Sequence, residues 1–279
     1  METWSDTRSE RVPLFDLARR ASVWLLLASP ALAQEVRDEW EFRAALYGFF
    51  PHIGGSATLP TGTSSELDVD AEDLLENLEF AGMASFAAQH GRWGFFSDVI
   101  YLDVADSVDD TTSLAAGGLP LPPGITADAE IEVQGWVWTT AASYRAVATE
   151  ADTFDVFGGA RLLAVESELE YEFSGDFGPF VGPARNGTGS SEVELWDAVA
   201  GLKGRHALGA SARWFVPYYL DLGTGESDLT WQAAAGIGCS LPWGELFATY
   251  RYLSYDFDSG ERLEDLDFRG PALGVAFNL

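Results

Sequence analysis

The sequence predicts an all-β chain: an antiparallel barrel of ten strands that crosses a membrane, with eight strands as the fallback and one short loop helix. Three observations predict it. First, the last nine residues alternate to the terminal carboxylate. Leu273, Val275, Phe277 and Leu279 are large and apolar, whereas Ala272, Gly274, Ala276 and Asn278 are small or polar. A period of two describes a strand with one greasy face, and a closed barrel needs its final strand to pair with its first. Second, the connections sort into a long class and a short class that alternate along the chain. Tight turns on one side and long loops on the other are the habit of transmembrane barrels. Third, no apolar run of the roughly 20 residues that a membrane helix needs follows residue 33.

The N-terminus reads as an export signal. Arg19 and Arg20 precede the apolar run from Ala21 to Ala28, and Ala31-Leu32-Ala33 supplies small residues at the cleavage-determining positions. Residues 1–33 are therefore expected to be an N-terminal extension and signal peptide, and residues 34–279 the barrel domain.

Segments of two-residue periodicity place the strands near 40–50, 79–90, 93–104, 130–146, 153–172, 193–204, 206–221, 228–241, 243–257 and 266–279. The clearest is 229–241. Trp231, Ala233, Ala235 and Ile237 share one face there, and Gln232, Ala234, Gly236 and Gly238 the other. Helical spacing cannot produce such a run. The long connections fall at 51–78, 105–129, 173–192, 222–227 and 258–265, and the short ones at 91–92, 147–152, 205 and 242. Within the first long connection, Ala71–Leu78 is the helical patch, with Asp70 as N-cap and acids in its first turn.

Directing the apolar faces to lipid sends the charges inward. Glu41, Arg43, Asp155, Arg161, Asp197, Arg213, Glu245 and Arg251 form the expected lumen charge network, with Lys203 near one end. A Lys or Arg facing mid-bilayer lipid would cost roughly 2–4 kcal/mol, so the inward placement is physically required. Ten strands lie near the filled end of the barrel series. The charges suit either a rigid salt-bridged core or a narrow gated pore. Ten Trp residues, many near strand ends, fit the aromatic girdles of a membrane barrel.

Composition excludes some partners. With 44 acidic against 16 basic residues and a net charge of -28, nucleic-acid binding is not expected. One cysteine, Cys239, excludes an internal disulfide. The acidic clusters fit a solvated rim, with Asp68, Asp70, Asp256 and Asp258 as weak candidates for divalent cations. No cofactor is expected. Three histidines, His52, His90 and His206, show no pairing with a carboxylate and a nucleophile that can be read from sequence, so no enzyme is expected.

The segments Trp196-Asp197 to Gly201-Leu202-Lys203-Gly204, Asp228–Gln232 with Gly236-Ile237-Gly238, Tyr250–Phe257 and Gly270-Pro271 to Phe277 carry a family likeness. The chain resembles the small outer-membrane barrels of Gram-negative bacteria, the group of OmpA-type, OmpW-type and opacity-type proteins. The resemblance implies an outer-membrane location, contact with lipid and lipopolysaccharide, and delivery by the barrel-assembly machinery. It also implies that Gly274, Phe277 and Leu279 form the assembly signal, with Leu279 replacing the usual terminal phenylalanine. It brings no ligand or activity. The expected function is a non-enzymatic structural or surface-contact role in the cell envelope, with a narrow solute channel as the alternative.

Overall fold

The computed structural model describes residues 39–58, 64–69, 71–76, 78–108, 125–175, 185–209, 211–257 and 263–279. The expected signal lies outside the described residues.

The elements are β1 (Trp40–Phe49), β2 (His52–Thr58), β3 (Ser64–Val69), α1 (Ala71–Glu76), β4 (Leu78–His90), β5 (Trp93–Val108) and β6 (Ile125–Ala148), then β7 (Asp152–Gly175), β8 (Arg185–Leu208), β9 (Trp214–Gly225), β10 (Leu229–Leu241), β11 (Gly244–Asp256) and β12 (Leu263–Asn278). β1 and β4 to β12 follow one another around the sheet, and β1 pairs antiparallel with β12 from Arg43↔Asn278 to Phe49↔Ala272. The barrel is closed and ten-stranded. The alternating last strand does pair with the first.

The connection expected at 51–78 is largely structured. β1 stops where Pro51, which has no N–H to donate, interrupts the ladder, while the Phe50 N–H still donates to the Pro271 carbonyl at 3.0 Å. The chain resumes as β2, which follows the outer half of β12 from Arg269↔His52 to Leu263↔Ala57 and turns back as β3. β1 pairs with β4 only from Trp40↔His90 to Leu46↔Ala84. Beyond that the two strands part, and buried Leu74 of α1 packs over the gap with Leu78, Met83 and Phe49. Asp70, the expected cap, lies outside the described residues.

The turn expected at 205 lies instead at 209–213. β8 runs on to Leu208, Gly209 takes φ +72° and Ala212 φ +47°, and β9 begins at Trp214. Gly209 adopts that conformation without a Cβ clash.

Two aromatic girdles ring the barrel. At the end with the short turns, Trp93 meets Tyr144 (centroids 5.2 Å), Trp40 meets His90 (5.0 Å) and Trp243 meets Phe277 (5.9 Å). At the outer level Tyr101 meets Trp136 (4.4 Å), Trp231 meets Tyr252 (4.7 Å) and Trp138 meets Trp196 (6.2 Å). On β5, Trp93 and Tyr101 are eight residues apart. That is about 27 Å of strand, or roughly 20 Å of membrane normal at a tilt near 40°. Exposed Phe42, Leu46, Phe86, Phe95, Leu220, Leu222, Ile237 and Leu273 occupy the outer wall of the barrel. A water-facing surface would not carry that belt. The barrel is of the transmembrane type.

β6, β7 and β8 are each 24 residues long, far beyond the roughly 9–11 that cross a bilayer. Their face polarity reverses where they leave it. On β7 the outward residues Val156, Leu162 and Ala164 are succeeded by exposed Glu166 and Glu168, while inward Asp155 and Arg161 are succeeded by Leu163 and Val165. Inside the membrane the greasy face is outside. Above it, the barrel obeys the rule for soluble proteins. The register sets Glu132 opposite Glu168 and Glu166 opposite Glu192. Like charges so placed repel, so the strands are held together there by their ladder bonds.

Inward glycines give the large lumen side chains their space. A Cβ at Gly201 would stand 2.7 Å from both the Phe157 ring and the Asp221 Cβ, whereas a Cβ at Gly135 meets nothing within 4 Å. Gly201→Val is expected to cost about 1–3 kcal/mol through overpacking, and Gly135→Ala nearly nothing. Urea unfolding in detergent micelles, followed by Trp fluorescence, reads both; equal midpoints for the two variants would contradict this packing.

Candidate functional site

The lumen has two parts, separated by a seal. Inward side chains from every strand of the barrel meet in one belt. Phe49, Met83, Ile100, Val137, Leu163 and Leu253 supply its apolar arc, with Tyr255, Leu266 and Ala272. Arg161 fills the remaining arc, wholly buried from solvent, facing Asp221 with Thr139 and Thr230 beside it. Its guanidinium donates to Asp221 and to both threonine hydroxyls, 3.1 Å each. The Tyr219 hydroxyl donates to the same Asp221 oxygen at 2.5 Å. A buried charge needs that many partners to be tolerated. Asp197 works differently. Its carboxylate accepts the Ser227 N–H (3.0 Å) and hydroxyl (2.8 Å), and so holds the β9–β10 turn down onto the barrel mouth.

Below the seal lies a chamber of about 450 Å³. Arg43, Arg145, Lys203, Arg205 and Arg251 line it. Its carboxylates are Asp98, Asp155 and Glu245, with exposed Glu41 at the end with the short turns. Each of the first three is engaged. Glu245 accepts from Arg43 (2.7 Å) and Arg205 (2.6 Å), and Asp155 accepts a two-pronged contact from Arg145 (2.9 and 3.3 Å). Asp98 accepts from Arg251 (3.2 Å) and from the Tyr47 hydroxyl (2.9 Å). Fork-to-carboxylate bonds of this kind fix both partners.

Of the expected network, Arg43, Asp155, Glu245 and Arg251 line this chamber, Glu41 stands at its mouth, and Arg161 and Asp197 sit at the seal. Arg213 does not belong. It is exposed in the 209–213 turn, because β8 extends three residues past the expected turn and carries Arg205 inward in its place. Asp98, Arg145, Arg205 and Asp221 were not singled out from sequence. Asp98 and Asp221 alternate with Phe96, Ile100 and Tyr219 on their inward faces, so no clean polar face announces them. Arg145 precedes a register shift between Arg145 and Val147.

His206 does find a carboxylate: its Nδ1 lies 2.5 Å from Asp152 Oδ1, its register partner on β7. Both are about half exposed. The pair ties two strand ends together. Of the weak cation candidates, Asp256 is exposed, and the side chains of Asp68, Asp70 and Asp258 lie outside the described residues. Among the described residues no group of three or more His, Cys, Asp or Glu is placed to hold a metal ion. Phe277 and Leu279 of the expected assembly signal face outward, and Gly274 packs between Tyr47 and Phe247.

No protein-family profile and no curated protein matches the chain. Solved structures do. The chain is similar to the outer membrane protease OmpT of Escherichia coli at 9% identity and a TM-score of 0.46, covering 87% of this chain and 97% of that one. It is similar to Ail, the attachment invasion locus protein of Yersinia pestis, at 11% identity and TM-score 0.26, covering 87% and 100%. It is also similar to the toluene transporter TodX of Pseudomonas putida at 12% identity and TM-score 0.32, covering 87% and 90%. These likenesses assign no activity.

Proposed function

We propose that this protein is a non-enzymatic barrel of the Gram-negative outer membrane whose closed lumen serves structure or surface contact rather than transport. The observation that carries this reading is the seal. Leu163 is 2% exposed, Leu253 1%, and Arg161 and Tyr255 0%. Four large side chains packed that tightly across the lumen support a closed passage at that level. The long strands β6, β7 and β8 carry exposed Glu166, Glu168 and Glu192 on their water-facing side. That acidic face suits contact at the cell surface, and lipopolysaccharide with its bridging divalent ions is the natural neighbour of an acidic rim. The outward Phe277 and Leu279 suit recognition by the barrel-assembly machinery, and membership of the OmpA-like, OmpW-like and opacity-like group fits the same picture.

Purified protein in planar lipid bilayers is expected to show no discrete conductance steps in 1 M KCl under applied voltage. Regular steps from the unaltered chain would support the channel reading instead.

A further inference from the structure

The chamber below the seal has a charge balance opposite to that of the protein. The chain carries -28 overall, yet the chamber wall holds the five cations named above against three engaged carboxylates and Glu41 at its mouth. Glu245 serves two arginines at once, so the pairings leave positive charge over. Lys203 makes no salt bridge among the described residues; its Nζ rests 3.7 Å over the Phe96 ring. Arg251 Nε is buried and donates to nothing. The half-buried Lys203 ammonium, set against a ring face beside its register partner Asp155, and the buried Arg251 N–H without an acceptor both keep donor capacity to spare.

Aromatic rings contribute part of the remaining wall, among small and polar residues. Phe96, Phe215, Phe247, Tyr47 and Tyr219 line the same space, and Phe96 and Phe157 meet edge to face at 5.0 Å. At about 450 Å³ the chamber falls in the size range of small-molecule sites, which combine apolar walls with a few placed polar groups. The geometry points to a binding site for a small organic carboxylate with an aromatic or apolar body. The carboxylate accepts from the Lys203 ammonium, and the body lies on the phenyl shelf. Because the seal closes the far end, this is a dead-end site reached from the end with the short turns, and a binding function distinct from the structural role proposed above.

The test compares three probes with one ring and different charge: benzoate, benzamide and benzylammonium. Each is titrated calorimetrically into the detergent-solubilised full barrel at low salt, with protein-free micelles as the blank. Benzoate is expected to bind at least tenfold tighter than benzamide, and benzylammonium to show no binding. Lys203→Gln is expected to weaken benzoate at least tenfold, and Lys203→Arg to hold it within about threefold. Heat-modifiable gel migration confirms that each variant folds. Benzoate heats no larger than the blank would overturn the inference, as would equal affinity for all three probes. Unchanged benzoate affinity in folded Lys203→Gln would overturn it too. If Lys203→Gln fails to fold, the ranking of the three probes on the unaltered chain decides alone.

Discussion

Arg161→Ala is expected to destabilise the barrel by about 3–5 kcal/mol, the usual cost of stripping one partner from a buried ion pair. The substitution removes donors to three acceptors, Asp221, Thr139 and Thr230. It leaves Asp221 charged, 1% exposed, with the Tyr219 hydroxyl as its remaining donor. Arg43→Ala is the control. Arg43 is 43% exposed at its side chain, and Glu245 keeps Arg205, so a loss under about 1 kcal/mol is expected. Removing both charges in Arg161→Met with Asp221→Leu should recover much of the deficit, because the penalty lies in the orphaned carboxylate and not in the lost attraction. Urea titrations of protein refolded into lipid vesicles give the three midpoints. An Arg161→Ala midpoint matching that of Arg43→Ala would show that Arg161 reaches water, and the seal would fail with it.

The fold was more legible in the sequence than the site, and for a physical reason. Lipid-facing residues need only be apolar, so a period of two shows plainly at Leu229–Leu241 and in the last strand, where the structure has β10 and β12. Turn positions are less constrained. Leu208, Ala210, Ala212 and Trp214 continue the alternation straight through a turn, and that coincidence displaced the β8–β9 boundary and put Arg213 inside. Gly209 at φ +72° was the local signal available. The reach of the strands was hidden for another reason. Val165-Glu166-Ser167-Glu168 alternates as cleanly as a membrane segment but with inside and outside exchanged, since those residues stand in water. Periodicity reports that two faces differ; only the solvent says which of them is greasy. The lumen itself was half legible. Charges that lipid forbids were found, whereas the apolar seal was not. An inward Leu253 or Tyr255 on β11 resembles any other apolar residue until the neighbouring strands are set in register.

That seal is also where a closed barrel becomes an open one. Leu253 and Tyr255 follow one another along the inward face of β11 at the level of Phe49 and Leu163. Arg251, the residue below them on that face, lines the lower chamber. Replacing both, Leu253→Ser with Tyr255→Ser, removes two large side chains and leaves hydroxyls that hold water where the belt is now dry. Each buried truncation of this size costs about 2–5 kcal/mol, which a barrel locked by a continuous ladder of backbone bonds is placed to absorb. The double variant is expected to give discrete conductance steps in planar bilayers where the unaltered chain gives none. The current should favour anions, because ions passing the breach next meet the cation-rich chamber. Adding Lys203→Gln and Arg205→Gln to the open variant should then shift the reversal potential toward cation selectivity under a salt gradient. A double variant that folds, shifts on heating in gels and still stays silent would place the block above this belt. Steps without anion preference would mean that the chamber's arginines are fully neutralised by their carboxylates.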